Sequence, residues 1–249
     1  GGGFTNYLAN AVAGTAAFVA ALNPDGTILY KRMVGSRTNS LFGGLAVNAN
    51  GEVVVTGTVV YDGVQDTETA PDPEFVTTAG VFPAVPGVFL GGRWLQNDSV
   101  FAVRFNANGD ARWACLLGGS GYDFGIAAAF DAASNVHLTG ISGSFNFQRT
   151  PGAYDQNMLG KVYVTKLSEA ADSVIFSTGM NTSGNVLPTC LSVDSRGFTY
   201  IGGVLSFTNR SLFVCSPNTQ YFTSIPGSIP RSADAWNESA YQGGNSAVN

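Results

Sequence analysis

The chain has 249 residues, 45% of them hydrophobic and only 12% charged, with 32 glycines. That is about half the charge of an average soluble domain, and it argues against a disordered chain, which needs high charge and few apolar residues. The net charge of −5, with 12 scattered Lys and Arg, argues against nucleic acid and anionic membrane surfaces, both of which require clustered cations.

Residues 1–23 carry no charged side chain and include the Ala-rich stretch Tyr7 to Leu22. Asn10 and Thr15 interrupt it and no basic segment precedes it, so neither a signal peptide nor a membrane helix is expected. Phe18-Val19-Ala20-Ala21-Leu22 reads as a short apolar strand. Asn23-Pro24-Asp25-Gly26 is a turn, because Pro fixes φ, Asp caps through its side chain and Gly accepts positive φ. Thr27 to Val34 returns as a second strand, and a Gly/Ser/Asn-rich loop is expected over 35–44. A third strand starts at Leu45, Asn48-Ala49-Asn50-Gly51 is a second hairpin turn, and Val53-Val54-Val55-Thr56 is a fourth strand ended by Gly57.

This pattern recurs. A second unit starts at Phe101 and a third at Tyr163. Phe18 to Gly57 and Phe101 to Gly140 each span 39 positions, and Tyr163 to Gly203 spans 40. Pro-Gly pairs at Pro86-Gly87, Pro151-Gly152 and Pro226-Gly227 mark the spacers. The chain divides into a spacer end (1–17), unit one with a long spacer (18–100), unit two (101–162), unit three with a long spacer (163–245) and the start of a further unit (246–249). Four hairpin-linked strands in about 40 residues match the length of a β-propeller blade. The strands are apolar on both faces, as a blade between neighbouring blades requires. No capped 3.6-residue periodicity appears, so little helix is expected. A sandwich would not repeat its sequence, and a β-helix repeats at about 20 residues per rung. The expected fold is all-β, a propeller of four-stranded antiparallel blades present as an incomplete arc.

Four submotifs occur in order: Phe18 to Gly26, Leu117 to Gly125, Asp131 to Gly140 and Thr150 to Tyr154. Together they resemble the bacterial SBBP (seven-bladed β-propeller) repeat over most of residues 16–249. The resemblance implies a propeller in a secreted or cell-surface protein, often beside adhesion-like modules, and implies no activity. The third unit departs from the pattern. Ser168-Glu169-Ala170-Ala171 replaces the Asn-Pro-Asp-Gly turn, and Gly179-Met180-Asn181 replaces Leu-Gly-Gly. Its hairpin geometry therefore does not follow from the motif.

A catalytic constellation is not evident. The one histidine, His137, aligns with Val54 and Tyr200 in mid-strand and is expected to pack between blades with its imidazole satisfied. No GxSxG accompanies it. The cysteines Cys115, Cys190 and Cys215 contain no CxxC, which leaves one bridge plus a free thiol, or three buried free thiols. The acidic run Asp62, Asp66, Glu68, Asp72, Glu74 reads as a solvated loop, with a calcium loop as the alternative. Ser192 to Tyr200 resembles the aspartate box of sialidase-type propellers, itself a structural turn, with one extra residue before the Gly. Gly118-Gly119-Ser120-Gly121 lacks the following Lys-Ser/Thr and helix of a phosphate cradle. No cofactor or metal is expected. Trp94, Phe145, Phe147, Tyr221 and Trp236 lie in or near spacers and are the candidate ligand- or partner-binding residues. Asn97, Asn181, Asn209 and Asn237 are sequons, about as many as chance gives.

The expected function is a non-catalytic extracellular scaffold. It would contact other protein chains or further blades of its own polypeptide. The alternatives are a carbohydrate-binding module and a fragment of an enzyme whose active site lies elsewhere.

Overall fold

Six short turns set the architecture of the computed structural model, which describes residues 5–6, 15–36, 39–60, 75, 77–82, 88–90, 93–95, 97–155, 162–180 and 185–206. They begin at Asn23, Asn48, Asn106, Asp131, Ser168 and Asp194. In each, the first residue's N–H donates across the turn, and the fourth residue's N–H donates back to the first carbonyl. The fourth residue lies in the left-handed region, at φ between 55° (Ala171) and 88° (Gly197). Side chains reinforce the geometry: Asn48 Oδ1 accepts from the N–H groups of Asn50 and Glu52, both at 3.0 Å. Asn106, Asp131 and Asp194 repeat that pattern. The third-unit turn at Ser168 is one residue longer but of the same kind, with Ala171 in the left-handed position at φ 55°.

The strands are β1 (Thr5–Asn6), β2 (Ala17–Leu22), β3 (Ile28–Val34), β4 (Asn39–Val47), β5 (Val53–Val60), β6 (Val88–Leu90), β7 (Arg93–Leu95), β8 (Ser99–Phe105), β9 (Ala111–Leu117), β10 (Asp123–Phe130), β11 (Val136–Ser142), β12 (Val162–Leu167), β13 (Val174–Met180), β14 (Asn185–Val193) and β15 (Thr199–Ser206). Among the described residues there is no helix. Two sheets are four-stranded and antiparallel, in the orders β4-β5-β8-β9 and β10-β11-β12-β13. A β1-β3-β2 sheet, a β14-β15 pair and a β6-β7 ribbon complete the set.

The phase of these sheets corrects the expected blade. The four strands within 18–57 do not share one sheet; β2-β3 belong to one and β4-β5 to the next. Each four-stranded sheet joins the second hairpin of one sequence unit (β4-β5 or β10-β11, here labelled inner) to the first hairpin of the following unit (β8-β9 or β12-β13, labelled outer). It therefore straddles the unit boundaries drawn at 101 and 163. A periodic sequence fixes the length of a repeat but not where in the repeat the chain changes sheets.

A second correction concerns the expected loop 35–44. Most of it is β4, which starts at Asn39. Its Gly43 and Gly44 lie directly against the backbone of β10. A Cβ on Gly43 would stand 2.1 Å from the Gly125 carbonyl oxygen, and one on Gly44 2.8 Å from that of Ile126. The glycines are there to let two strands of neighbouring sheets touch.

The core follows from strands that are apolar on both faces. Along β5, Val53, Val55 and Val59 pack on one side with Val19 and Val34 of the β2-β3 hairpin. Val54 faces the other way, with Ala102 and Trp113, onto Leu138 and Tyr163 of the next sheet. Phe75, from the long 61–98 connection, stacks on Phe101 at 5.5 Å between centroids. Tyr30 of β3 lies under the 106–109 turn of the next sheet, where Arg32 Nε donates to the Gly109 carbonyl at 2.6 Å.

Two turn glycines separate conformation from packing. Gly26 (φ 84°) has open space around its missing Cβ, whereas a Cβ on Gly109 (φ 79°) would fall 2.5 Å from the Tyr30 ring. Gly26→Ala is expected to cost about 1 kcal/mol through the left-handed conformation alone. Gly109→Ala should cost at least about twice that, because the Tyr30 ring must also move. Chemical denaturation of the two variants checks the ranking.

Candidate functional site

The six hairpin turns lie at one end of the strands, and the segments that carry the chain from one hairpin to the next leave from the other, here called the long-connection end. These two ends offer different chemistry.

At the turn end, Glu52 follows the 48–51 turn and is 6% exposed. Its Oε2 accepts from Arg104 Nη2 and its Oε1 from Arg112 Nη1, each at 2.5 Å. Asn48 Nδ2 adds a bond at 2.8 Å. Arg104, 1% exposed, also donates to the carbonyls of Ser134 and Glu169 and stands 3.2 Å from Glu169 Oε1. Its guanidinium lies 5.3 Å from the Phe130 ring. The network stitches the 48–51 turn to the 131–134 and 168–171 turns of the next sheet. It lines an open concavity of about 620 Å³ together with Asn50, Asn106 and Asn108. Two cations and two anions cancel, so the concavity holds no net charge to draw an ionic ligand.

Burial alone would raise the Glu52 pKa. The hydrogen bonds from Arg104, Asn48 and Arg112 outweigh it and hold the carboxyl at about 2, against an ordinary 4.5. The depressed value means that Glu52 lends stability above pH 4.5 and that this is lost as pH falls toward 2. Glu52→Gln is expected to cost about 3 kcal/mol at neutral pH, since it leaves Arg104 buried with one half-exposed partner. The same variant should flatten the acid limb of the stability curve. Urea titrations from pH 2 to 7 read both effects.

At the opposite end, Asp123 is fully buried and clamps the Gly-rich loop. Its Oδ1 accepts from Ser142 Oγ at 2.6 Å, and its Oδ2 from Ser144 Oγ at 2.6 Å and the Gly119 N–H at 2.9 Å. Gly118 to Gly121 is thus a loop folded over a carboxylate. Burial pushes the Asp123 pKa up from 3.8 to about 6, and the hydroxyl and N–H donors offset only part of that. A raised carboxylate pKa costs stability as pH rises from about 4 to 6 and nothing further above that range. Asp123→Asn should remove this slope between pH 4 and 6, which thermal melts across that range test.

His137 is buried between its own sheet and β15, with Nδ1 2.9 Å from Thr199 Oγ1 and its ring edge-on to Phe176 at 5.9 Å. The expectation of a satisfied imidazole is corrected on one atom. Nε2 makes no hydrogen bond and stands 3.6 Å from Asp131 Oδ2, which is taken by Lys166 Nζ at 2.7 Å. Burial and the Lys166 charge lower the His137 pKa, against the pull of Asp131. Asp131, His137 and Thr199 fall in line, but the fully buried ring leaves a substrate no approach.

The candidate binding residues separate. Phe145 is 76% exposed on the long-connection end. Phe147 is 2% exposed and packs on Tyr163 with ring centroids 4.6 Å apart. It pins its spacer to the core and offers no surface for a ligand, because the chain turns at 145–146 and brings Phe147 inward while Phe145 stays at the tip. Trp94 lies on β7 opposite Phe89. Tyr221, Trp236 and the sequons Asn181, Asn209 and Asn237 lie outside the described residues, as do the acidic run Asp62 to Glu74 and Cys215. Asn97 donates its side-chain amide to the Ser120 carbonyl at 2.7 Å, so the atom that would carry a glycan is engaged. Cys115 and Cys190 are free thiols. Cys115 is buried, with its pKa pushed up to about 12, whereas Cys190 is exposed, which removes the reading of three buried thiols. Among the described residues no three His, Cys, Asp or Glu side chains gather as a metal site.

Sequence reasoning missed Tyr154, 71% exposed beyond the Pro151-Gly152 turn, and the buried carboxylates Glu52 and Asp123. The charge in Asn-Gly-Glu directly after a hairpin turn was the available signal for Glu52. No family model and no curated protein matches the chain.

Proposed function

We propose that the chain is a non-catalytic β-propeller scaffold that binds other proteins through its long-connection end, outside the cell or on its surface. The observation that carries this reading is the two four-stranded antiparallel sheets packed on each other and flanked by the β2-β3 and β14-β15 hairpins, with the six hairpin turns at one end of the strands. That is how the blades of a propeller stand, and such folds bind through their longer loops. The resemblance to SBBP repeats supports the extracellular setting. Support for a non-catalytic role comes from the titratable groups themselves. Glu52, Asp123 and Asp131 are all occupied in tying turns, loops and sheets together.

Phe145 and Tyr154 are the most exposed aromatics among the described residues, at 76% and 71%. A glycan ligand is the second reading, since exposed aromatic rings stack on sugar faces. A photo-crosslinking residue at Phe145 should capture a specific protein from the source organism's extracellular material, whereas the same residue at Gly26 on the turn end should not. Capture at both positions or at neither would overturn the reading. A glycan-array signal lost in Phe145→Ser and Tyr154→Ser, with the melting temperature unchanged, would replace it with the second.

A further inference from the structure

The concavity at the turn end holds more than the joint that Glu52 and Arg104 make. Four turns surround it, those that begin at Asn48, Asn106, Asp131 and Ser168. Two of its lining residues carry charges that the other units of this molecule do without. Arg112 is the unpaired bulge residue of β9, skipped between the pairs Arg104–Trp113 and Phe105–Ala111. The same bulge holds Leu29 in β3 and Ile175 in β13. Glu169 is the second residue of its turn, where the first hairpins of the other two units hold Pro24 and Ala107. The Arg112 and Glu169 side chains stand 3.7 Å apart and are 48% and 46% exposed. An ion pair so open to water adds little stability, and Glu52 is already held by Arg104 and Asn48. Folding alone gives these two positions small reason to be charged.

The rest of the lining is polar, uncharged and uncommitted. The Asn50 and Asn108 side chains are exposed, and their amides make no hydrogen bond among the described residues; only their backbone groups are engaged. Each stands third in its turn, where the corresponding turns of the next unit hold Ala133 and Ala170. Arg104 completes the lining: it is 1% exposed, and its Nε is a buried donor with no hydrogen-bond partner. A buried unpaired N–H costs free energy that an acceptor oxygen recovers. Among the described residues, the apolar side chains on the lining are Ala107 and Ala133 alone.

We propose that this concavity binds a neutral saccharide through Asn50, Asn108, Arg112 and Glu169. The chemistry of the lining selects that ligand. Two cations and two anions cancel, so neither an anion nor a cation is drawn in. Two alanine methyls give no pocket for the large side chains that anchor a peptide. What the lining presents is both senses of hydrogen bonding. Each amide offers a carbonyl acceptor and two N–H donors, Arg112 offers further donors, and Glu169 offers an acceptor. A hydroxyl both donates and accepts, and a sugar carries several of them without charge. Adjacent hydroxyls bridge the oxygen and nitrogen of one amide, or a carboxylate and the guanidinium beside it. The volume of about 620 Å³ lies within the range of small-molecule sites and leaves room for a short oligosaccharide. No aromatic ring lines the concavity, so sugar faces have nothing to stack on. Affinity then rests on hydrogen bonds and is weak, about millimolar. The site depends on these four turns, whichever larger fold they belong to.

Nuclear magnetic resonance titration of the isotope-labelled chain with maltotriose, cellotriose, mannotriose and triacetylchitotriose tests the site. At about 10 mM, at least one of these sugars should shift the amide signals of Asn50 and Asn108. Its affinity should not change between low and high salt, because the ligand is uncharged. Two double variants follow, Asn50→Ala with Asn108→Ala and Arg112→Ile with Glu169→Ala. Each places a residue that another unit already carries at the equivalent position, so circular dichroism should show the fold retained. Each should weaken binding about tenfold or more. Phe145→Ser with Tyr154→Ser should bind the sugar as the parent does. No shift with any of the four sugars, shifts confined to residues outside the four turns, or affinity unchanged in either double variant would overturn the proposal. A sugar response abolished by Phe145→Ser with Tyr154→Ser would also overturn it, and would assign the sugar to those exposed aromatics instead.

Discussion

The constraint on which this structure depends is that its sheets are apolar on both faces. Val53 and Val55 point one way from β5 and Val54 the other, and all are buried. A single layer of such strands cannot be stable in water, because each face needs another sheet against it. The sheets therefore stack in series. The chemistry of each sheet edge and end then decides what that series can bind and how far it extends.

Polar groups are placed where the stacking leaves room for them. The turn end ties neighbouring sheets through Glu52, Arg104 and Glu169, and Lys166 ties to Asp131 from the position on β12 that Arg104 holds on β8. In both cases a cation on the first outer strand reaches an acid at the tip of the inner hairpin. Replication of the device across two sheets, despite the change from Arg–Glu to Lys–Asp, marks it as a structural joint. The long-connection end uses a carboxylate differently. Asp123 gathers hydroxyl and N–H donors from two loops, and the resulting raised pKa shows how little solvent reaches it. Phe145 and Tyr154 are the most exposed aromatics among the described residues.

The sequence by itself determined the hairpin turns, the strands that flank them and the all-β class, but not the first half of β4. A turn is written in a few adjacent residues, and the left-handed position after Asn-x-x or Asp-x-x is a local steric fact. Even the altered Ser168-Glu169-Ala170-Ala171 turn keeps that geometry, because the strands on either side hold Ala171 in place. Only the tertiary structure decided which hairpins share a sheet, since periodicity carries no phase and β5 and β8 are separated by a connection of 38 residues (61–98). Only it showed that Gly43 and Gly44 belong to a strand pressed on another backbone, that Phe147 is core while Phe145 is surface, and that Glu52 and Arg104 meet. These are contacts between residues far apart in the chain, and their energies come from neighbours that local sequence does not name.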